Sequence, residues 1–453
     1  MLESKLFRLK NKIKLNGVQI LSLGFIVTIF IGAIILSLPI SSASGEATNF
    51  LDTLFTSTSA VCVTGLVTVD TGTYWSTFGQ VTIMILIELG GLGFMSFATL
   101  LAMIVGKKIT LRERLVMQEA MNAFSIQGLV HMVRCVLIFT FSIQIIGAIL
   151  LATQFIPMFG VETGIFYSIF HSISAFCNAG FDLMGNYSSL VPLNSNAMII
   201  LTISALIIIG GLGFAVWIEI YNYKKSGRKL SVHAKLVILI TALLLGIGFV
   251  LMFIFEFNNP LTIGEMSFGD KLLNSWFTGL TPRTAGFNSV STGDLTVAGQ
   301  FLTVILMFIG GSPGSTAGGL KTATFGILMF TVISVIKGRE NTEIFNRRFS
   351  KDLVYRAFVI FFLALGLIVG VTMVLAVAEP NIAFADLLFE ATSAFGTAGL
   401  STGITPSLGS VSKVVLMISM YFGRVGILTV MLAMLRGKKK QSYTLPEGKI
   451  LIG

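Results

Sequence analysis

Long apolar runs organise this chain. They fall at roughly 18–38, 80–105, 129–155, 197–221, 235–257, 301–336, 354–378 and 411–435, and an apolar run of about 18 residues or more marks a helix that spans a bilayer. The pattern predicts an all-α integral membrane protein with eight transmembrane helices. One run differs from the others. Between Phe301–Ile309 and Phe325–Ile336 stands MFIGGSPGSTAGGLKTATFG, Met307 to Gly326, where glycines, a proline, hydroxyls and a lysine replace the expected helix.

Four loops between successive spans share a second pattern. They read FTSTSAVCVTGL from Phe55, FHSISAFCNAGF from Phe170, WFTGLTPRTAGF from Trp276 and FEATSAFGTAGL from Phe389. An aromatic residue precedes Gly65, Gly180, Gly286 or Gly399 by ten positions in every copy. The following span also repeats a glycine cluster: ELGGLGF (Gly90, Gly91, Gly93), IIGGLGF (Gly210, Gly211, Gly213), IGGSPGS (Gly310, Gly311, Gly314) and YFGRVGI (Gly423, Gly426). Recurrence at a fixed period indicates an internal repeat, here a span, a re-entrant loop and a glycine-marked span. Each unit crosses the membrane twice, so all copies share one orientation. Parallel copies pack about an axis along the membrane normal, whereas inverted repeats place their pseudo-symmetry in the membrane plane. The expected fold is four parallel helix–pore loop–helix repeats around a pseudo-fourfold central pore.

Composition agrees: 54% of residues are hydrophobic and 11% charged, against about 25% charged in soluble domains. The net charge of +10 is informative through its placement. Lys and Arg cluster at Lys5–Lys14, Lys107–Arg114, Lys224–Lys235, Lys337–Arg356 and from Arg436 onward, in alternate loops. The positive-inside rule makes that side, with both termini, cytoplasmic. The charge therefore reports topology, and no nucleic-acid partner is expected. Opposite loops carry Asp52, Asp70, Asp182, Asp270, Asp294 and Asp386. The basic start KLFRLKNKIK precedes an apolar run too long for a signal peptide. Cys62, Cys135 and Cys177 have neither disulfide-framework nor zinc spacing. Expected boundaries are a tail 1–16, repeat 1 at 17–106, a linker 107–127, repeat 2 at 128–223, a linker 224–234, repeat 3 at 235–337, a linker 338–352, repeat 4 at 353–436 and a tail 437–453.

Non-helical backbone at membrane depth is tolerated where it is buried in protein or lines water. A short apolar helix ending in a small-residue turn and a glycine fits a pore loop whose carbonyls replace an ion's hydration shell. Pore helices are expected to run inward from Phe50, Phe166, Phe268 and Ala383, and their negative C-terminal ends favour a cation.

With these motifs over residues 15–440, the chain resembles the Trk/Ktr/HKT superfamily of potassium transporters, and within it the Ktr-type membrane subunit. The resemblance implies a potassium filter at Val63, Thr64, Gly65; Asn178, Ala179, Gly180; Thr284, Ala285, Gly286; and Thr397, Ala398, Gly399. Each loop keeps one glycine instead of the longer filter motif of tetrameric channels. The resemblance also implies an intramembrane gating loop at 310–320: Gly310, Gly311, Ser312, Pro313, Gly314, Ser315, Thr316, Ala317, Gly318 and Gly319, with Lys321 closing it and Arg424 beside it. Glycines weaken a helix there by roughly 1 kcal/mol each relative to alanine, and Pro313 removes a backbone donor.

The family implies a homodimer on a cytosolic ring of nucleotide-binding regulatory subunits that take ATP or ADP, in a bacterial plasma membrane. Potassium is the transported ion, sodium a candidate activator, and no covalent cofactor is expected. The apolar end Ile450–Ile452 suits either a dimer interface or disorder.

Several residues admit two readings. GSTAGGLKT, Gly314–Thr322, falls one residue short of a phosphate-binding loop but lacks the preceding strand. Arg424 is an electrostatic barrier, a partner of the gating loop, or the basic half of a buried pair with Glu88. Lys321 either bonds loop carbonyls or snorkels. Arg283 is expected either to brace the outer filter or to be exposed. His131, His171 and His233 receive no role. A membrane enzyme is disfavoured because no nucleophile–base cluster or metal motif appears; a cation-coupled secondary transporter with a midplane site is the alternative transport mechanism.

Overall fold

The computed structural model describes residues 17–93, 129–227 and 229–434. Both tails with Ile450–Ile452, the end of the second apolar run and the 107–127 linker lie outside these residues. In chain order the principal helices are α1 (Gly17–Leu36), α2 (Phe50–Val61), α3 (Thr77–Leu92), α4 (Leu129–Phe159), α5 (Val161–Cys177), α6 (Ala197–Gly211), α7 (Phe214–Ser226) and α8 (Val232–Glu256). They continue with α9 (Phe268–Leu280), α10 (Val297–Phe308), α11 (Thr322–Ile336), α12 (Lys351–Ala378), α13 (Phe384–Gly396), α14 (Ser410–Val425) and α15 (Ile427–Met434). A small hairpin, β1 (Glu343–Ile344) with β2 (Arg347–Arg348), links α11 to α12.

The first helix of each repeat is α1, α4, α8 or α12. These are apolar on every side and only 28–39% of their apolar windows is buried, so they present the lipid-facing surface. The short helices α2, α5, α9 and α13 dip inward. Each carries an acid in its first turn, Asp52, Glu162, Asp270 or Asp386, matching the positive end of the helix dipole. Asn49 and Ser267 cap α2 and α9 by accepting from the Leu51 and Asp270 N–H groups. The inward half of each is buried, as in Phe55–Val61. Helix α5 begins five residues before the expected Phe166: Gly160, at φ 83°, reverses the chain directly after α4.

The second helix of each repeat packs on the dipping helix of the next: α3 on α5, α6 on α9, α10 on α13, and α14 back on α2. This cyclic rule closes the four repeats into a ring. At the closing seam Lys413 of α14 meets Asp52 of α2 at 2.8 Å.

The second helices depart from the unbroken runs expected at 80–105, 197–221 and 411–435. Helix α3 ends at Gly93 (φ 80°), α6 turns by 97° into α7 across Gly213 (φ 91°), and α14 gives way to α15 at Gly426 (φ 94°). By length and composition, four described helices are span candidates, or five if the bent pair α6–α7 is one span. The break expected only in the third repeat is thus shared by the second and fourth, and in the first the described helix likewise ends at a left-handed glycine. These glycines hold backbone angles that side chains with a Cβ rarely adopt, and the breaks leave helix-end carbonyls needing donors.

Candidate functional site

The dipping helices end at the shared motif, and the backbone there repeats. Val63, Asn178, Thr284 and Thr397 have φ of 50°, 59°, 65° and 48°, and the glycines two residues later have φ of 93°, 70°, 79° and 80°. Val and Thr are β-branched and seldom left-handed; such strain costs about 1–3 kcal/mol per residue and gathers at functional sites.

The four glycines meet. A Cβ on Gly65 would lie 2.6 Å from the Ala179 carbonyl oxygen; one on Gly180 would lie 2.7 Å from Gly286 Cα. On Gly286 it would sit 3.0 Å from the Ala398 oxygen, and on Gly399 it would overlap the Thr64 oxygen. The order runs from the first repeat to the fourth and back to the first. Glycine is therefore required twice at each position, by φ and by the neighbouring strand.

Hydroxyls brace the ring from behind. Ser59 Oγ accepts from Gly65 N–H at 3.1 Å, and Ser174 Oγ donates to the Phe181 carbonyl at 2.7 Å. In the third loop Thr281 does the latter work, donating to Phe287 O at 2.5 Å. Sequence reading missed these residues, although Ser59 and Ser174 both stand six positions before their glycine. It also missed buried His171, which approaches Tyr167 O at 2.7 Å through Nδ1 and accepts from Leu183 N–H at 3.3 Å. Glu390 has the matching position in the fourth repeat and accepts from Thr405 at 3.1 Å. Beyond the second loop, burial pushes the Asp182 carboxyl up to about 7; the Met184 N–H opposes this and the like charge of Asp70 adds to it.

The 310–320 segment fills the space bounded by the glycine clusters. Ser312 N–H and Thr316 N–H donate to Gly211 O (3.0 Å) and Gly210 O (3.3 Å) of α6, and Gly319 N–H donates to Gly423 O of α14 (3.2 Å). Arg424 donates to Thr316 O and also to Gly90 O (2.5 Å) and Gly91 O (3.0 Å) of α3. Carbonyls at three helix ends are thereby engaged by one loop and one guanidinium. Close approach explains the first glycine of three clusters as well: a Cβ on Gly90, Gly210 or Gly423 would overlap the carbonyl of Val61, Phe176 or Phe395.

Lys321 Nζ donates to Ala317 O at 2.6 Å, so this lysine bonds the loop. Arg283 is 7% exposed and reaches Gly310 O at 3.4 Å; it braces the start of the loop, a correction to the outer position expected for it. Arg424 forms no pair with Glu88. That carboxylate accepts from Gln144 (2.8 Å) and Cys177 (3.3 Å), and the ion pairs among the described residues are Arg339–Glu343 and Lys413–Asp52. Three basic side chains thus face loop carbonyls.

A closed ring of parallel repeats with a polar loop at its axis defines a membrane transport protein. The chain belongs to the TrkH family of cation transport proteins, whose model matches residues 9–442. It is 45% identical to the potassium/sodium uptake protein NtpJ of Enterococcus hirae, over 97% of this chain and 98% of that protein. It is 39% identical to the Ktr system potassium uptake protein B of Bacillus subtilis, over 96% of each. The crystal structure of the potassium transporter TrkH from Vibrio parahaemolyticus shares the fold, with a TM-score of 0.69 at 18% identity, covering 91% of this chain and 84% of that one. The family is one of transporters, not enzymes.

Proposed function

We propose that the chain is the ion-translocating subunit of a potassium uptake system in a bacterial plasma membrane. Potassium crosses along the axis of the glycine ring, selected by the backbone carbonyls that end in Gly65, Gly180, Gly286 and Gly399. The 310–320 loop is the gate. The observation carrying this reading is the cyclic contact of the four glycines, each following a left-handed residue at the inner end of a dipping helix. Carbonyls so arranged substitute for a hydration shell, and the helix ends add negative partial charge. Arg283, Lys321 and Arg424 raise the opposing potential while the loop is in place.

Identity to NtpJ and to the Ktr B protein supports potassium as cargo, with sodium as co-ion or activator. Similarity to a component of a Ktr system supports a separate cytosolic partner; ATP or ADP is assigned to that ring of regulatory subunits, and the membrane chain to a homodimer. The basic alternate loops support cytoplasmic termini.

The reading is tested by rubidium and sodium flux into liposomes holding the purified chain, its Gly286→Ser variant and a deletion of residues 312–318. Rubidium-selective flux, reduced by Gly286→Ser and raised by the deletion, is expected. Absence of cation flux from both wild type and deletion refutes the pore. Flux that requires an opposing co-ion gradient favours the secondary-transport mechanism.

A further inference from the structure

Asn178 stands apart from its three counterparts, Val63, Thr284 and Thr397. It is 1% exposed, and asparagine suits its φ of 59°. Its amide reaches four groups from different parts of the ring. The nitrogen donates to Phe176 O (3.2 Å) and Ile207 O (3.3 Å), while the oxygen accepts from Thr284 Oγ1 of the third loop (3.3 Å). Thr316 Oγ1 of the 310–320 loop lies 3.4 Å from the amide and donates to the same Phe176 carbonyl at 3.1 Å. The amide also packs on Gly210 and Gly211: a Cβ on either would lie 2.9 Å or 3.5 Å from it. These glycines supply the carbonyls that hold Thr316 N–H and Ser312 N–H.

Across the ring, Thr397 makes a second contact with the same loop. A Cβ on Gly318 would lie 2.9 Å from Thr397 Cγ2 and 3.0 Å from its Cβ. The inner layer of the glycine ring therefore rests on the loop at two of its left-handed residues, and only Asn178 does so by polar contact that also engages the adjacent filter loop.

We infer that Asn178 is a positioning residue that couples gate to filter: while the loop is seated, Thr316 and Phe176 fix the Asn178 amide, which fixes Thr284 and the spacing of the second and third loops. Withdrawal of the loop frees the amide and relaxes that side of the ring. Ion discrimination and gating then share one structural element, and coupling of two sites through such an element is reciprocal. The inference rests on the pore reading above and names its regulation.

The test is a double-mutant cycle in the liposome flux assay: wild type, Asn178→Ala, the 312–318 deletion, and both together. In the full-length chain Asn178→Ala is expected to raise rubidium flux about 2- to 12-fold, the scale of one net hydrogen bond, and to shift the rubidium-to-sodium ratio. In the deletion background its effects on flux and on the ratio are expected to be clearly smaller than in the full-length chain, because the seated contact is already gone and only the amide's contacts to Thr284, Ile207 and Phe176 are left to lose. Thr316→Val, which keeps the side-chain shape and leaves the filter backbone untouched, is expected to reproduce the full-length effect and carries the test where Asn178→Ala fails to fold. Equal shifts of the ratio in both backgrounds overturn the coupling and leave Asn178 a filter residue only. Unchanged flux in Thr316→Val overturns it too. Absence of flux from wild type and deletion alike refutes the pore reading and the coupling together.

Discussion

Replacing Arg424 by glutamine isolates what holds the proposed gate. The guanidinium donates to carbonyls on two bodies: Gly90 and Gly91 at the end of α3, and Thr316 on the loop. Loop withdrawal breaks only the Thr316 contact. Arg424's own share of the difference between seated and withdrawn states is thus one charge-assisted hydrogen bond, worth about 1.5–3 kcal/mol where the donor is charged, or about 10- to 150-fold in the gate equilibrium. Coulomb repulsion acts in the same direction, since the substitution removes a positive charge from a cation path of low dielectric. Arg424→Gln should therefore raise rubidium uptake into liposomes by at least about tenfold, up to the ceiling set by the 312–318 deletion. Arg424→Lys keeps the charge but not the forked geometry that spans two bodies, and its flux should fall between those of wild type and Arg424→Gln. The reasoning is refuted if Arg424→Gln, eluting as folded protein, conducts no faster than wild type, or if Arg424→Lys equals it.

Other outcomes follow from the same geometry. Gly399→Ala and Gly403→Ala share a left-handed backbone penalty of about 1–2 kcal/mol, but a Cβ at Gly403 meets nothing within 4 Å while one at Gly399 overlaps Thr64 O; only Gly399→Ala should abolish selective flux, with Gly403→Ala lowering thermal stability alone. Ser174→Ala removes the donor to Phe181 O and should cost about 1 kcal/mol, read as a lower melting temperature and a larger sodium leak. Asp182 is pushed up to about 7, so it gains its proton, and loses its charge, as pH falls through neutrality. Rubidium uptake should decline between pH 8 and pH 6 measured on the outer side, and Asp182→Asn should remove that part of the profile.

Much of this was legible along the chain because the relevant signals are local. Apolar runs identify the bilayer as solvent, and the four motif copies mark with a glycine the second of the two left-handed positions in each loop, leaving the first, at Val63, Asn178, Thr284 and Thr397, unmarked. Similarly, interruption of the 301–336 run marks the loop, and a lone arginine in an apolar segment marks a polar interior. What a glycine sequence does not state is which strand approaches it. That Gly399 faces Thr64, that Gly90 faces Val61, and that Gly210 and Gly211 serve Thr316 and Ser312 depends on closure of the ring, whose seam joins Lys413 to Asp52, 361 positions apart.

The same holds for the charges. Sequence determined that Arg283, Lys321 and Arg424 lie within or beside apolar segments; tertiary structure decided that all three donate to carbonyls of one loop and that Glu88 turns to Gln144 and Cys177 instead. Breaks at Gly213 and Gly426 were hidden because hydropathy is blind to backbone direction: residues on both sides of a 97° bend remain apolar. Composition and period thus fixed the solvent, the repeat and one place where helix must yield, the interruption of the 301–336 run. Partners for the carbonyls released at the breaks were set only when four distant segments packed around one axis, since a buried hydrogen-bonding group accepts whichever donor the closed fold brings to it.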